Sequence, residues 1–337
     1  MVQRCGWSGI SVTYGCMVVL ATAVHADPVS FLRPGYGEGS TTVNVAFLML
    51  DIDDINTADQ TFTANLFIRL RWHDERLARA GDGLVILRPD QAWRPELIFV
   101  SQQKIWDTIP DVLNVYADGT VIYRRRIWGP FSQPLYIRDF PFDSQTFSVR
   151  LACLGTLPGE VDFIADPTVK SGFAPEFSLP DWEIRDWHLD FSDYQPFSES
   201  VSVPSFALIF DAVRHSRHYL LKVILPMVLI VAMSWVVFWI NPEHASTQIG
   251  VATTSMLTLI AYRFIIGTRL PPVPYLTRMD TFILWSTLIV FAALAQAVVT
   301  AQLAGRKRGM LAHRIDAWCR TLFPLIFIAM TAWTLWL

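Results

Sequence analysis

Catalytic signatures are missing from this sequence. It has no G-x-S-x-G elbow, no H-E-x-x-H helix and no P-loop. Serine hydrolysis, zinc proteolysis and nucleotide hydrolysis therefore have no starting point, and His73-Asp74-Glu75, which looks catalytic in isolation, reads better as structural. Cysteine is equally sparse. Of the four, Cys5 and Cys16 fall in the first 26 residues, while Cys153 and Cys319 lie one in each half of the chain. Neither a disulfide framework nor a Cys-x-x-Cys zinc site can be built from them. With no histidine cluster either, no metal and no cofactor are expected. Charge is low as well: 17% of residues, with a net of -3. Arg306-Lys307-Arg308 is too short a basic run to offer nucleic acid a surface.

What the chain has in excess is apolar residues, 52% of 337. The excess is concentrated after residue 218. The first 26 residues read as a secretory signal peptide: Arg4, an apolar stretch, then Val24-His25-Ala26 as a small-x-small cleavage site. From 27 to 218 the pattern is many short strands, at 42–50, 61–72, 112–116, 120–127, 146–152 and 203–212, rich in β-branched and aromatic residues. In the second of these, Leu66, Ile68, Leu70 and Trp72 share one face. A single all-β, immunoglobulin-like sandwich is expected.

From 219 to 337 the pattern is four apolar helices, at 219–240, 246–267, 279–303 and 315–337. Each is within the range of about 17–25 residues that crosses a bilayer. With the sandwich outside, the link carrying Arg306, Lys307, Arg308 and Arg314 lies inside, as the positive-inside rule requires. The expectation is thus an extracellular or periplasmic sandwich on a four-helix transmembrane bundle, in contact with membrane lipid.

The second apolar segment carries a pattern that lipid contact does not need. Gly250, Thr254, Leu257, Ala261, Phe264 and Thr268 recur at intervals of four and three, which puts them on one helical face. Several copies around an axis would stack them as rings, polar below and apolar above, a lining that can gate by dewetting. One chain supplies one such helix, so a symmetric ring of identical chains is implied. Close packing of helices through small residues is the other reading of the same stripe.

The motifs also resemble a known family. Arg71-Trp72-His73-Asp74-Glu75-Arg76-Leu77, Trp93-Arg94-Pro95-Glu96, Phe140-Pro141-Phe142-Asp143-Ser144-Gln145, Arg214 before the first span, Leu270-Pro271 with Pro274-Tyr275, and the segment 320–327 occur in order. Together they are similar to the pentameric ligand-gated ion channels, in the prokaryotic branch. Members that close a loop with a disulfide have cysteines where this chain has Gln133 and Phe147. The link between the last two spans is also too short for a cytoplasmic domain.

The resemblance implies a homopentamer, each chain with four identical partners, that passes small ions and performs no enzymatic reaction. It places the gate at Leu257 or Phe264. It implies coupling between domains through Asp53, Asp54, Asp143, Arg214, Pro271 and Tyr275. Glu243, at the inner mouth, points to small cations as the permeant species. The agonist site of the family lies between neighbouring sandwiches. Phe67, Phe99, Phe191, Tyr194 and Phe197 are this chain's candidates, and whether the agonist is a proton or a small molecule stays open. A membrane-anchored, non-conducting binding module is the alternative.

Overall fold

The computed structural model describes residues 31–198, 201–267 and 273–336. The expected signal peptide at 1–26, and among the site candidates Thr268 and Pro271, lie outside the described residues. Fourteen strands come first: β1 Thr41–Asn56, β2 Thr61–His73, β3 Val85–Leu87, β4 Glu96–Phe99, β5 Trp106–Asp107, β6 Leu113–Val115 and β7 Thr120–Ser132. They continue as β8 Ser144–Leu154, β9 Val161–Ala165, β10 Gly172–Phe173, β11 Trp182–Asp190, β12 Tyr194–Ser198, β13 Val201–Val203 and β14 Ser205–Arg214. One sheet runs β10-β1-β2-β7-β6-β3, with β9 on β1 and β5 on β7; the other runs β11-β14-β8-β4. β12 and β13 form a separate hairpin.

The period-two pattern read in β2 sets the face. Phe62, Ala64, Leu66, Ile68, Leu70 and Trp72 are buried, and the alternate residues point outward. Phe62 closes the sandwich. Its ring meets Phe131 of β7 at 5.4 Å and crosses to Phe147 of β8 at 5.1 Å and Phe210 of β14 at 6.0 Å. Four strands from both sheets thus share one aromatic contact, the interleaving that holds two sheets face to face. β3, β4, β5, β9, β10, β12 and β13 were not legible as strands, because two to five residues carry too little alternation to read, and the nine-residue β11 escaped because a bulge between Ile184 and Asp186 interrupts its alternation.

Four helices long and apolar enough to span follow, Arg217–Trp239, Ala245–Gly267, Arg278–Gly305 and Gly309–Leu335. Even the 23-residue helices extend about 35 Å, against about 30 Å of hydrocarbon. The fourth starts at Gly309 rather than at 315. Its first turns mix Met310, Leu311 and Ala312 with His313 and Arg314, so the apolar run is broken, yet Ala312 N–H already donates to the Arg308 carbonyl. The third begins with a capping box. Thr277 Oγ1 accepts from Asp280 N–H, and the Asp280 carboxylate accepts from Thr277 N–H.

Polar ties cross the bundle where the chain cannot satisfy itself. Pro226 has no N–H to give the Lys222 carbonyl, and the turn there is of π type. The Tyr262 hydroxyl of the second helix shares its one hydrogen between that carbonyl at 3.1 Å and the Val223 carbonyl at 3.0 Å. Gln296 Nε2 of the third helix donates to Oδ1 of the fully buried Asp316 in the fourth, at 2.5 Å. In hydrocarbon such pairings are required rather than optional.

Candidate functional site

The second spanning helix has two opposed faces. Gln248, Ala252, Ser255, Leu259 and Ile266 are buried against the other helices of the same chain. Gly250, Thr254, Leu257, Ala261 and Phe264 are all exposed. Ser255 and Leu259 each stand two residues from Leu257, which is a turn of about 200°. The stripe is therefore the face turned away from the chain's own bundle. Its largest members, Leu257 and Phe264, are 62% and 74% exposed and about 10 Å apart along the axis. Thr254 Oγ1 donates to the Gly250 carbonyl and Thr258 Oγ1 to the Thr254 carbonyl, both at 2.8 Å. Those hydroxyls are satisfied internally and keep acceptor capacity facing outward. Arg263, six residues from Leu257, is turned about 120° off the stripe. Glu243 is exposed in the short link before the helix.

At the junction of the two domains the structure builds a dense hub around Arg214, the last residue of β14. Its Nε donates to Asp143 Oδ1 at 2.8 Å and its Nη2 to Oδ2 at 3.2 Å. Side-chain exposure is 3% for Arg214 and 1% for Asp143, so this is a buried two-point ion pair. Gln145 Nε2 adds a third bond to Asp143 at 3.0 Å and ties it to the Tyr136 carbonyl at 2.9 Å. Rings cover the guanidinium: Trp182 at 4.1 Å, Phe140 at 5.0 Å and Tyr219 at 5.9 Å. Tyr219 belongs to the first spanning helix and also meets Phe140 edge-on at 4.8 Å.

The segment 135–143 reaches the third helix too. Tyr275 Oη accepts from Ile137 N–H at 3.2 Å, Arg278 N–H donates to the Arg138 carbonyl at 2.9 Å, and Arg278 Nε donates to Asp139 at 2.8 Å. Asp143, Arg214 and Tyr275 are therefore brought together. Asp53 and Asp54 are not part of this hub: Asp53 accepts from the Trp128 indole N–H, and Asp54 is exposed. Gln145, Trp182, Tyr219 and the Asp139–Arg278 pair were missed. Gln145 closes the FPFD segment itself, but nothing in a motif marks Trp182, which faces Arg214 through the β11–β14 register.

In the outer domain the candidate rings divide. Phe99 is 4% exposed, packs on Phe131 at 5.8 Å and lies under the Arg125 guanidinium at 5.4 Å. That corrects the expectation for Phe99: it is core. Strand alternation turns Phe99 inward. Phe67 is half-buried on the outward face of β2, while Phe191 and Tyr194, also half-buried, follow β11 of the other sheet. One subunit therefore carries Phe67 on one sheet and Phe191 and Tyr194 beside the other. The side chain of Phe197 lies outside what the structure describes.

Phe67 has an unexpected setting. Arg126 stands opposite it across the β2–β7 pair, and Arg124 stands opposite Arg69 two positions further on, on the same face. Arg69 and Arg71 both engage Asp166, the latter through Nη2 to Oδ1 at 3.1 Å. Burial raises the Asp166 pKa, but hydrogen bonds from Arg71 and Thr168 outweigh it and hold the carboxyl below its usual range. Arg126 Nε donates to Asn65 Oδ1 at 3.3 Å. Among the described residues the Arg124 side chain has no hydrogen-bond or ion-pair partner. The run Arg124-Arg125-Arg126 was the available signal, and alternation turns its two ends to the outer face.

Comparison with known proteins agrees with this architecture. Residues 27–204 match the neurotransmitter-gated ion-channel ligand binding domain, and residues 223–313 match the neurotransmitter-gated ion-channel transmembrane region. The chain is 28% identical over 309 residues to a proton-gated ion channel of Gloeobacter violaceus, covering 88% of this chain and 82% of the relative. It is 26% identical over 315 residues to a gamma-aminobutyric acid receptor subunit beta of Caenorhabditis elegans, covering 90% of this chain and 57% of that one. The chain thus spans a little over half the length of the nematode relative.

Proposed function

The chain belongs to the neurotransmitter-gated ion-channel family, and from that premise we propose that it is a homopentameric channel whose second spanning helix lines the pore. Four membrane-spanning helices follow an extracellular ligand-binding domain, and channels of this family are not enzymes. In the proposed boundaries, 1–26 is a signal peptide, 27–218 the outer domain and 219–337 the membrane domain.

The observation that carries the pore assignment is the opposition of faces on Ala245–Gly267. The face holding Ser255 and Leu259 is used up by the chain's own bundle, and the stripe through Leu257 is left for an axis shared with other copies. Leu257 and Phe264 are the two apolar rings that would hold the closed gate by excluding water. Thr268, by its spacing, would continue the stripe outward. Small cations are the proposed permeant species, because Glu243 lies at the inner end and no Lys or Arg occurs from 244 to 262.

Opening is proposed to pass from the outer domain through Asp143 and Arg214 to Tyr219 of the first helix. Tyr275, Pro271 and the Asp139–Arg278 pair would carry it to the link between the second and third helices. The names of the relatives supply two kinds of stimulus, a proton and an amino acid, and either class of agonist is compatible with this route.

Cysteine accessibility tests the pore face. Thr254→Cys and Leu257→Cys should react with a charged, membrane-impermeant thiol reagent and alter the current, whereas Ser255→Cys should not. Equal reactivity of Ser255→Cys, or none at Thr254→Cys and Leu257→Cys, would contradict the assignment.

A further inference from the structure

Four acidic side chains among the described residues are buried: Asp74, Asp143, Asp166 and Asp316. Arginines meet three of them, Arg76 on Asp74, Arg214 on Asp143, and Arg69 with Arg71 on Asp166. The fourth, Asp316 of the last spanning helix, is 0% exposed and has a glutamine instead. Its Oδ1 accepts from Gln296 Nε2 of the third helix at 2.5 Å, while its Oδ2 has no partner among the described residues. Gln296 Oε1 is likewise buried without one. The two orphan oxygens thus belong to two side chains that already share a bond.

The neighbouring charges do not supply the missing donor. On the same helix His313 is exposed, and Arg320, one turn on, gives Nε to the Phe238 carbonyl at 2.9 Å with its guanidinium over the Trp239 ring at 5.8 Å. Cys319, buried three residues on, is the remaining titratable group on that side. The third helix carries no ionisable side chain from 281 to 305, and the first carries none from 223 to 240. An ionised carboxylate in hydrocarbon is tolerated when it is paired. A carboxylic acid that keeps its proton is instead a donor and an acceptor at once, and so is a primary amide. Nε2–H to Oδ1 and Oδ2–H to Oε1 then make a ring of two hydrogen bonds, and one proton satisfies both orphans. Turning the amide over leaves the same count, because one proton is missing in either orientation.

We propose that Asp316 and Gln296 form a proton-binding site between the third and fourth spanning helices, the proton sitting on the Asp316 carboxyl and donated to Gln296 Oε1. Holding it ties the two helices together through two hydrogen bonds. Losing it leaves one bond and a buried charge, so the seating of the fourth helix responds to pH. The site lies within one chain and depends neither on the pentamer nor on the pore.

Infrared spectroscopy of the purified full-length protein tests this, because the C=O stretch of a protonated carboxyl is separate from the bands of ionised carboxylates. At neutral pH the parent should show such a band and Asp316→Asn should lack it. Gln296→Leu keeps the acid and removes its amide, so the band should move to higher frequency. Asp82→Asn, at an exposed position of the outer domain, should leave it unchanged. Thermal unfolding gives a second readout. The unfolded chain releases this proton near the ordinary carboxylate value of about 4, while the folded chain keeps it. Relative to Asp316→Asn, the parent's ratio of folded to unfolded protein should therefore fall by about tenfold per pH unit above that value, until the folded acid ionises too.

Absence of a protonated-carboxyl band at neutral pH would overturn the assignment. So would a band that Asp316→Asn retains, one that Gln296→Leu does not move, or a stability difference that stays constant with pH. Stabilisation of the parent by sodium over N-methylglucamine at equal ionic strength, with Asp316→Asn indifferent, would put a metal cation on these oxygens and overturn it as well. Where Asp316→Asn does not yield folded protein, the spectra of the parent and Gln296→Leu decide.

Discussion

At the scale of single residues, the arginine hub is the most exposed to test. Arg214 and Asp143 were legible because each sits in a short motif at the edge of a domain. Gln145, Trp182 and Tyr219, which make the hub what it is, come from three elements whose meeting depends on sheet register and on helix entry. A buried pair of this kind adds little over a well-packed apolar pair, but removing one partner strands the other charge, at about 3–5 kcal/mol. Asp143→Asn should therefore lower stability by an amount in that range, read as a drop in thermal unfolding temperature of the detergent-purified protein. The double variant Asp143→Asn with Arg214→Gln should recover part of the loss, since the two sites share one interaction. Additive losses would mean that the pair is not coupled. Phe99 shows the opposite limit of sequence reading: proximity to a motif suggests a ligand contact, but one step of strand alternation puts the ring in the core.

At the scale of elements, the strands with clear alternation and the four apolar helices were readable. What escaped were strands of two to five residues, the bulged nine-residue β11, and the first turns of the fourth helix, where His313 and Arg314 interrupt the apolar run. The contacts between helices were also illegible, although their cause is local. Pro226 removes a donor, and Tyr262, far away in sequence, supplies one. Tyr262→Phe should leave the Lys222 and Val223 carbonyls short of a partner and cost about 1–3 kcal/mol. The matching measurement is again thermal unfolding in detergent, together with the response to the opening stimulus, which should shift because the bond joins the first helix to the second. An unchanged unfolding temperature would show that lipid or water satisfies those carbonyls.

At the scale of the whole molecule, one chain explains itself only halfway. The sandwich closes its own core through Phe62, Phe131, Phe147 and Phe210. The second spanning helix, by contrast, leaves its most regular face open, and Phe67 stands on one sheet while Phe191 lies just past the end of a strand of the other. Both features make sense once identical copies surround an axis, each offering the next the surface it lacks. The sequence carried the stripe in plain view, because helical spacing is local. It could not show that the other side of the same helix was already taken, which depends on how four helices pack.

The most direct test of the pore is the current across a planar bilayer for the parent and for Leu257→Ser, with stepped pH and added organic acids. If Leu257 closes a water-excluding gate, the serine variant should leak at rest, or open at a lower stimulus than the parent, with a reversal potential that follows the cation gradient. Parent and variant that both form pentamers in the membrane and both stay silent under every stimulus would contradict the account.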